Sequence, residues 1–393
     1  MTEQLKLKLN DSKATRWGAL VIVAFTMMAA YYVNDVVAPL KTMLETDLAW
    51  SSTDFGFFTG GYSFLNVFFL MLIWGGLILD RFGIRFTGKL ATILMVGGTA
   101  LEYYAMTGLA GADATLFGIN EIFGYKTGVF VAFAGYSIFG VGAEVAGITV
   151  SKIIAKWFKG KELATAMGVQ VALARIGSQA GYAVAIPLAR AFGISTPVLL
   201  GLVLLLGGMI AFFIFAVMDK KLDKQMEAAA IAAGTEDEEE KFSFKDVKNI
   251  LVNPGFWLIA LLCVLFYSCV FPFQKFASEL MIIKYGINEN VAGTFAGLPA
   301  LGALILTPVF GGFIDKRGKS ASIMLLGSAM LICVHFIYAI PDINYWLVAI
   351  VLMIILGITF SLVPSAMWPA VAKIFPVSQL GTAYALIFFI QNI

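Results

Sequence analysis

Long apolar runs broken by short charged stretches set the pattern of this chain. Taken as helices, the runs fall at 17–40, 54–79, 87–109, 128–151, 163–189, 196–218, 254–276, 291–314, 320–340, 344–367 and 379–393, eleven in all. A helix of about 20 apolar residues, rising ~1.5 Å per residue, matches a hydrocarbon layer ~30 Å thick. The polar breaks divide the rest. Residues 1–16 form a basic tail, 17–218 a group of six spans, 219–253 a charged linker, and 254–393 a second group. Within the linker, Glu236-Asp237-Glu238-Glu239-Glu240 cannot be buried and reads as solvated chain. Ser243 to Ile250 is predicted as a short interfacial helix, and Asn253-Pro254 as the start of the next span. The class is an all-α polytopic membrane protein. Phe388-Phe389-Ile390-Gln391-Asn392-Ile393 ends the sequence inside a run, the fifth of the second group, without a polar terminator. The expectation is that a twelfth span follows in the natural protein.

Composition agrees with that class. Hydrophobic residues make up 60% and charged residues 13%, which excludes an ordinary soluble domain. The net charge of +2 says little, but the distribution of cations is informative. Alternating the spans puts Lys6, Lys8, Lys13, Arg16, Arg81, Arg85, Lys89, Lys152, Lys156, Lys159 and Lys161 on one side. Lys220, Lys221, Lys224, Lys241, Lys245, Lys248, Lys316, Arg317, Lys319 and Lys373 join them. The other side keeps Lys41, Lys126, Arg190, Lys275 and Lys284. The excess predicts a cytoplasmic tail and linker. Cys263, Cys269 and Cys333 all lie in apolar runs and read as small buried hydrophobes, with no disulfide or metal spacing. No nucleophile–base or metal-binding constellation shares one depth, so neither an enzyme nor a cofactor is expected. The expected partners are lipid and a small solute, with no nucleic acid, and the expected state is a monomer.

The stretch from Gly140 to Gly181 reads as a helical hairpin turning at Phe158-Lys159-Gly160-Lys161. Glu144 and Arg175 stand about 15 residues either side of the turn, so each lies ~23 Å from the tip. In packed antiparallel neighbours, that spacing puts an acid and a base at one depth inside the membrane. An ionised group there costs at least ~2.5–3.5 kcal/mol and is normally tied to a partner, a cavity or function. Two readings stay open: a structural bridge between helices, or a site for a zwitterion whose ammonium meets Glu144 and whose carboxylate takes the Arg175 fork. Asp35, near the outer mouth, is a candidate for substrate or a proton, or is solvated at the rim. Gln391 and Asn392 lie near mid-depth and can serve peptide-bond groups. Tyr267, Trp368, Tyr31 and Tyr32 offer flat walls with polar tips. Pro272, Pro364 and Pro369 are expected to bend their helices. His335, the only histidine, reads as a lone polar contact between helices, and Glu102 has no assigned role.

The chain also repeats itself. Gly76-Leu77-Ile78-Leu79-Asp80-Arg81-Phe82-Gly83 recurs as Gly311-Gly312-Phe313-Ile314-Asp315-Lys316-Arg317-Gly318, each at the end of the second span of its half. Internal symmetry of six-helix halves is the mark of a transporter built from parallel repeats. In this reading Gly76 and Gly83 let helices approach closely. Asp80 and Asp315, flanked by Arg81 and Lys316, accept from a neighbouring helix end and latch one conformation.

This doubled pattern resembles the signature loop of the major facilitator superfamily. Further blocks narrow the resemblance: Trp157-Phe158-Lys159-Gly160-Lys161-Glu162-Leu163 with Ala174-Arg175-Ile176-Gly177-Ser178, Phe271-Pro272-Phe273, Ala366-Met367-Trp368-Pro369, Leu380-Gly381-Thr382-Ala383-Tyr384 and Gln391-Asn392. They are similar to the branch of lysosomal dipeptide uniporters and their bacterial relatives, over nearly the whole chain. The resemblance implies two six-helix bundles rocking around a midplane site, with Glu144 and Arg175 facing the cavity and holding dipeptide ends. Transport would be uniport or proton-coupled, with Glu144 and Asp35 as the carboxylates able to carry a proton. The alternatives are an organic anion exchanger anchored on Arg175 and a non-transporting membrane sensor. The tail lacks an acidic dileucine signal, and the one N-x-S/T sequon, Asn10-Asp11-Ser12, falls on the cytoplasmic side. Both features point to a bacterial inner membrane.

Overall fold

The computed structural model describes residues 8–111, 114–159, 161–233, 244–375 and 377–392. The first half holds α1 (Lys13–Val36), α2 (Lys41–Asp47), α3 (Ser52–Phe68), α4 (Met71–Thr107), α5 (Thr127–Trp157), α6 (Leu163–Phe192) and α7 (Thr196–Ala233). A two-stranded hairpin, β1 (Glu121–Ile122) with β2 (Tyr125–Lys126), precedes α5. The second half holds α8 (Phe244–Val252), α9 (Pro254–Ile283), α10 (Glu289–Ala296), α11 (Leu298–Arg317), α12 (Ser320–Ala339), α13 (Trp346–Ile374) and α14 (Val377–Gln391). Local chemistry explains several starts. Ser51 and Asp54 form a reciprocal capping box at α3, and the Asn253 side chain accepts from the Gly255 N–H at 2.8 Å ahead of Pro254.

Two predicted boundaries move, and the number of membrane-length helices changes. The run at 54–79 is not one straight helix: Leu70 adopts a left-handed conformation (φ 55°, ψ 31°), and α3 meets α4 at 57°. The run at 196–218 does not stop at Asp219. The helix continues to Ala233, because Asp219 is a buried partner for neighbouring helices rather than the first residue of a solvated linker. Finally, seven helical stretches among the described residues are long and apolar enough to cross a membrane, or eight with the bent α3–α4 pair counted as one span. That is fewer than the eleven predicted runs. Runs 54–79 and 87–109 share the bent pair, and 163–189 is interrupted by Gln170, Arg175, Ser178 and Gln179. α14 spans only 15 residues. The acidic run at 236–240 lies outside the described residues.

Two large apolar cores and one small one form. The first gathers buried residues of α1 to α7 and the second those of α8 to α14, while Ile314, Ile323, Leu362 and Ala366 form the small one. Ala38 and Tyr182 belong to the first half of the chain but pack in the second core, so the halves meet where these residues lie. Small residues let backbones touch: a Cβ at Gly140 would stand 2.2 Å from the Tyr62 carbonyl oxygen, and one at Gly177 would stand 2.1 Å from that of Met28.

Candidate functional site

α5 and α6 carry the predicted acid and base, but they are not packed arm on arm. α5 lies chiefly on α4 and α3, and α6 chiefly on α1. Gly135 and Gly142 turn toward α4, while Gly177 and Gly181 turn toward α1, and these contacts pull the two arms apart. Only a small part of the two arms touches directly. The result decides one question left by the sequence: Glu144 and Arg175 form no ion pair with each other.

Each is held by weaker neighbours. The Tyr62 hydroxyl donates to Glu144 at 2.9 Å, and the Asn392 side chain lies in hydrogen-bonding reach of the same carboxyl. The Arg175 guanidinium lies over the Phe360 ring at 4.9 Å and the Tyr31 ring at 5.6 Å. Tyr31 feels the charges of Arg175, Glu144 and, least of the three, Asp35, and the Arg175 guanidinium lies over its ring, so Tyr31 links the surroundings of the acid and the base. Tyr267 joins from α9, in the field of Arg175 and in hydrogen-bonding reach of Trp368. Its ring stacks on Phe271 and meets Phe360 edge-on. Trp368 stacks on Phe388 at 4.7 Å. Asn392 reaches across to the first half, where the Ser63 hydroxyl donates to it at 3.5 Å. Gln391 faces α9, accepting from the Cys263 thiol at 3.9 Å. Glu144, Arg175, Tyr267, Trp368 and Asn392 are therefore brought together around Tyr31, with Gln391 behind them.

Asp35 also lies in electrostatic reach of Tyr31, but its ion pair is with α9. Its carboxylate lies 3.5 Å from the Lys275 ammonium and accepts from the Asn34 amide at 2.9 Å. Lys275 donates to the Asn34 carbonyl at 2.5 Å and to the Tyr136 hydroxyl at 3.2 Å, tying α9 to α1 and α5. Further bonds between the halves cluster at this end. Lys41, 2% exposed, pairs with Glu279 of α9 at 2.5 Å and with Glu45 at 2.6 Å. Arg190 pairs with Glu289 and donates to Asn290 at 2.9 Å. Tyr182 donates to the Gln274 carbonyl at 3.1 Å, and Gln179 to that of Thr294 at 3.4 Å.

At the opposite end the ion pairs among the described residues stay inside the first half. Lys152 pairs with Asp80 at 3.0 Å, and Asp219, fully buried, holds Lys156 at 2.7 Å, the Trp157 indole at 3.0 Å and Arg85 at 3.2 Å. The expectation for the repeated loop changes accordingly. Asp80 is 56% exposed and bonds a lysine side chain rather than a helix end. A Cβ added at Gly76 would meet no described atom within 4 Å, so no described helix approaches there; the close contact falls one residue earlier, at Gly75 against Val145. Arg81 rests over the Phe82 ring, and Lys316 is exposed. The Asp315 side chain lies outside the described residues. What the repeat does share is a backbone device: Gly83 (φ 75°, ψ 174°) and Gly318 (φ 66°, ψ −138°) both adopt conformations that disfavour any side chain.

Sequence reasoning missed Lys275, Tyr62, Phe360 and Asp219. A signal for the first was available. Lys41, Arg190 and Lys275 are cations left over on the sparse side of the charge distribution, and each ties the halves together. His335 fulfils its reading as a contact between helices, 3.1 Å from the Cys269 carbonyl.

The family model of the Major Facilitator Superfamily matches residues 20–393. The human lysosomal dipeptide transporter MFSD1 is 29% identical over 394 residues, covering 97% of this chain and 77% of that protein. The chicken protein of the same name is 33% identical over 272 residues, covering 66% of this chain and 58% of its own. Among solved structures, the inward open conformation of the xylose transporter XylE from E. coli aligns with a TM-score of 0.68 at 16% identity, covering 96% of this chain and 87% of that one. The peptide transporter POT in complex with sulfate gives 0.65 at 14%, covering 95% and 86%. A bacterial homolog of the human lysosomal transporter Spinster, inward-facing and unoccupied, gives 0.67 at 15%, covering 97% and 80%. At such identities these likenesses concern the fold. Its relatives are transporters rather than enzymes, and this multi-pass membrane chain belongs to the major facilitator superfamily.

Proposed function

We propose that the chain is a secondary transporter of small zwitterionic solutes, above all dipeptides, working by alternating access. The observation that carries this reading is the separation of Glu144 from Arg175. An acid and a base flank one space in the middle of the helices, and neither is neutralised by the other. A dipeptide supplies both missing charges. Its ammonium takes Glu144, its carboxylate takes the planar fork of Arg175, and Asn392 serves the peptide bond. Tyr31, Tyr267, Phe360 and Trp368 then wall the side chains without selecting one shape. Similarity to proteins named lysosomal dipeptide transporters supports the same class.

In this reading the chain crosses the membrane in eleven spans, with the tail and the segment joining the two halves in the cytoplasm of a bacterium and the Asp35 end outside. The bonds of Lys275, Lys41 and Arg190 close the outer mouth, and the Asp80 and Asp315 loops work the inner one. An Arg175-anchored organic anion exchanger is the rival, opposed by the carboxylate of Glu144 in the same space.

A thermal-shift screen of the purified chain separates them. A ligand that binds only the folded state adds about 2.7 kcal/mol of stability at a hundredfold excess over its Kd. Dipeptides are expected to raise the melting temperature, with little response to single organic dianions. Stabilisation by the dianions and none by dipeptides replaces this function with the rival.

A further inference from the structure

Glu102 is the charged side chain that the transport cycle above leaves without a task. It lies on α4, is 0% exposed, and neither carboxyl oxygen has a hydrogen-bond partner among the described residues. One turn earlier the Thr99 hydroxyl is likewise buried and unpartnered among them. A carboxyl so placed is far less costly as the neutral acid than as a bare anion. Its described surroundings carry one cation. Lys275 of α9 lies in its electrostatic reach, and Tyr136 of α5 feels its charge. Lys275 is already matched by Asp35 of α1. The other elements packed on α4 add nothing: α7 bears no charge before Asp219, α14 bears none, and Asp54 of α3 caps its own helix. With Glu102 neutral the cluster of Asp35, Lys275 and Glu102 sums to zero. With Glu102 ionised it holds an uncompensated negative charge on a fully buried carboxyl.

We propose that Glu102 is a proton-binding site, and that Lys275 couples its occupancy to closure of the end at which the two halves meet. The movement is the alternating access inferred above; the substrate plays no part in it. When that end opens, α9 withdraws from α1, Lys275 leaves Asp35, and water enters. The Glu102 O–H bond then breaks and the proton passes to water, leaving a hydrated carboxylate. Closure requires a proton to return from water to Glu102. Proton binding and closure therefore promote one another by linkage.

The test measures the opening directly. Spin labels at Asp47→Cys and Asp342→Cys mark the two halves near this end, both at exposed positions. Cys269 and Cys333 are replaced by Ser, while Cys263 is buried and stays. Pulsed electron-resonance distances are recorded for the full chain in detergent between about pH 5 and about pH 8. The ratio of long to short separations is expected to rise about 5–150-fold with pH. Asp35, Glu45, Glu279 and Glu289 are further carboxylates at this end, so the variant decides. Glu102→Gln, neutral and of similar shape, is expected to stay closed across the range, and Lys275→Gln to shrink the response. A wild-type ratio that ignores pH, or a Glu102→Gln ratio that follows pH as the wild type does, overturns the proposal. If Glu102→Gln does not fold, an undiminished response in Lys275→Gln overturns it instead. Dipeptide thermal shifts on the same samples keep the two claims apart. Their absence removes the substrate reading without touching the distances.

Discussion

The unpaired acid and base make a prediction that can be read from the ligand's side. N-acetylation removes the ammonium of a dipeptide and leaves its size and carboxylate nearly intact. If Glu144 receives that ammonium, acetylation deletes a charge-assisted hydrogen bond inside the protein, worth about 1.5–3 kcal/mol. That corresponds to a ~10–150-fold weaker Kd. The low end applies because the Tyr62 hydroxyl and the Asn392 amide remain to solvate the carboxylate. Glu144→Gln should by itself weaken the free dipeptide by a similar factor. The two losses should not multiply: in Glu144→Gln, the acetylated and free dipeptides should bind alike. Calorimetric titration of four combinations, two proteins by two ligands, gives the coupling as a double-mutant cycle. The mirror experiment uses a C-terminally amidated dipeptide with Arg175→Gln. Equal acetylation penalties in wild type and Glu144→Gln would show that the ammonium sits elsewhere, and the assignment of Glu144 would fall.

Other consequences follow from single contacts. Glu279→Gln leaves the buried Lys41 with Glu45 as its remaining acid; the loss of a charge-assisted bond, about 1.5–3 kcal/mol, should favour separation of the halves, and unchanged label distances at that end would refute it. Gly83→Ala places a side chain at φ 75°, ψ 174° and should cost about 1–3 kcal/mol in a melting experiment. Gly76→Ala, with open space around it, should cost far less than Gly83→Ala, and equal losses would remove the backbone argument. Asp11 is held below the usual carboxylate value by the Lys161 ammonium and then by the Lys8 N–H. Because its folded value is depressed, the contribution is present above the ordinary carboxylate value near pH ~4 and fades as pH falls through the depressed one. Asp11→Asn should therefore alter stability slightly at neutral pH and hardly at all in stronger acid, as melting curves at both would show.

Much of the fold was legible because a helix is a local object. Apolar runs of membrane length and the Asn253-Pro254 start depend on residues a few positions apart, and most of the helices stand where local chemistry puts them. The helix break at Leu70 was not legible. A leucine in a left-handed conformation carries no sequence mark, unlike Gly83 and Gly318. The aromatic neighbours of Arg175 were half visible. Tyr31, Tyr267 and Trp368 were named as walls, whereas Phe360 is one of 34 phenylalanines with nothing local to distinguish it.

The sequence by itself determined the membrane class, the runs, the doubled loop and the presence of an acid and a base at matching distances from one turn. Equal depth along a helix follows from rise per residue and needs no partner. Which face each helix turns, and toward what, is a property of packing. Packing in three dimensions turned α5 onto α4 and α3 and α6 onto α1, leaving Glu144 and Arg175 unpaired with each other. It also decided that Lys41 meets Glu279 and Lys275 meets Asp35, bonds spanning more than half the chain. Such pairs depend on how distant helices pack against one another, which a local reading of the chain does not reach.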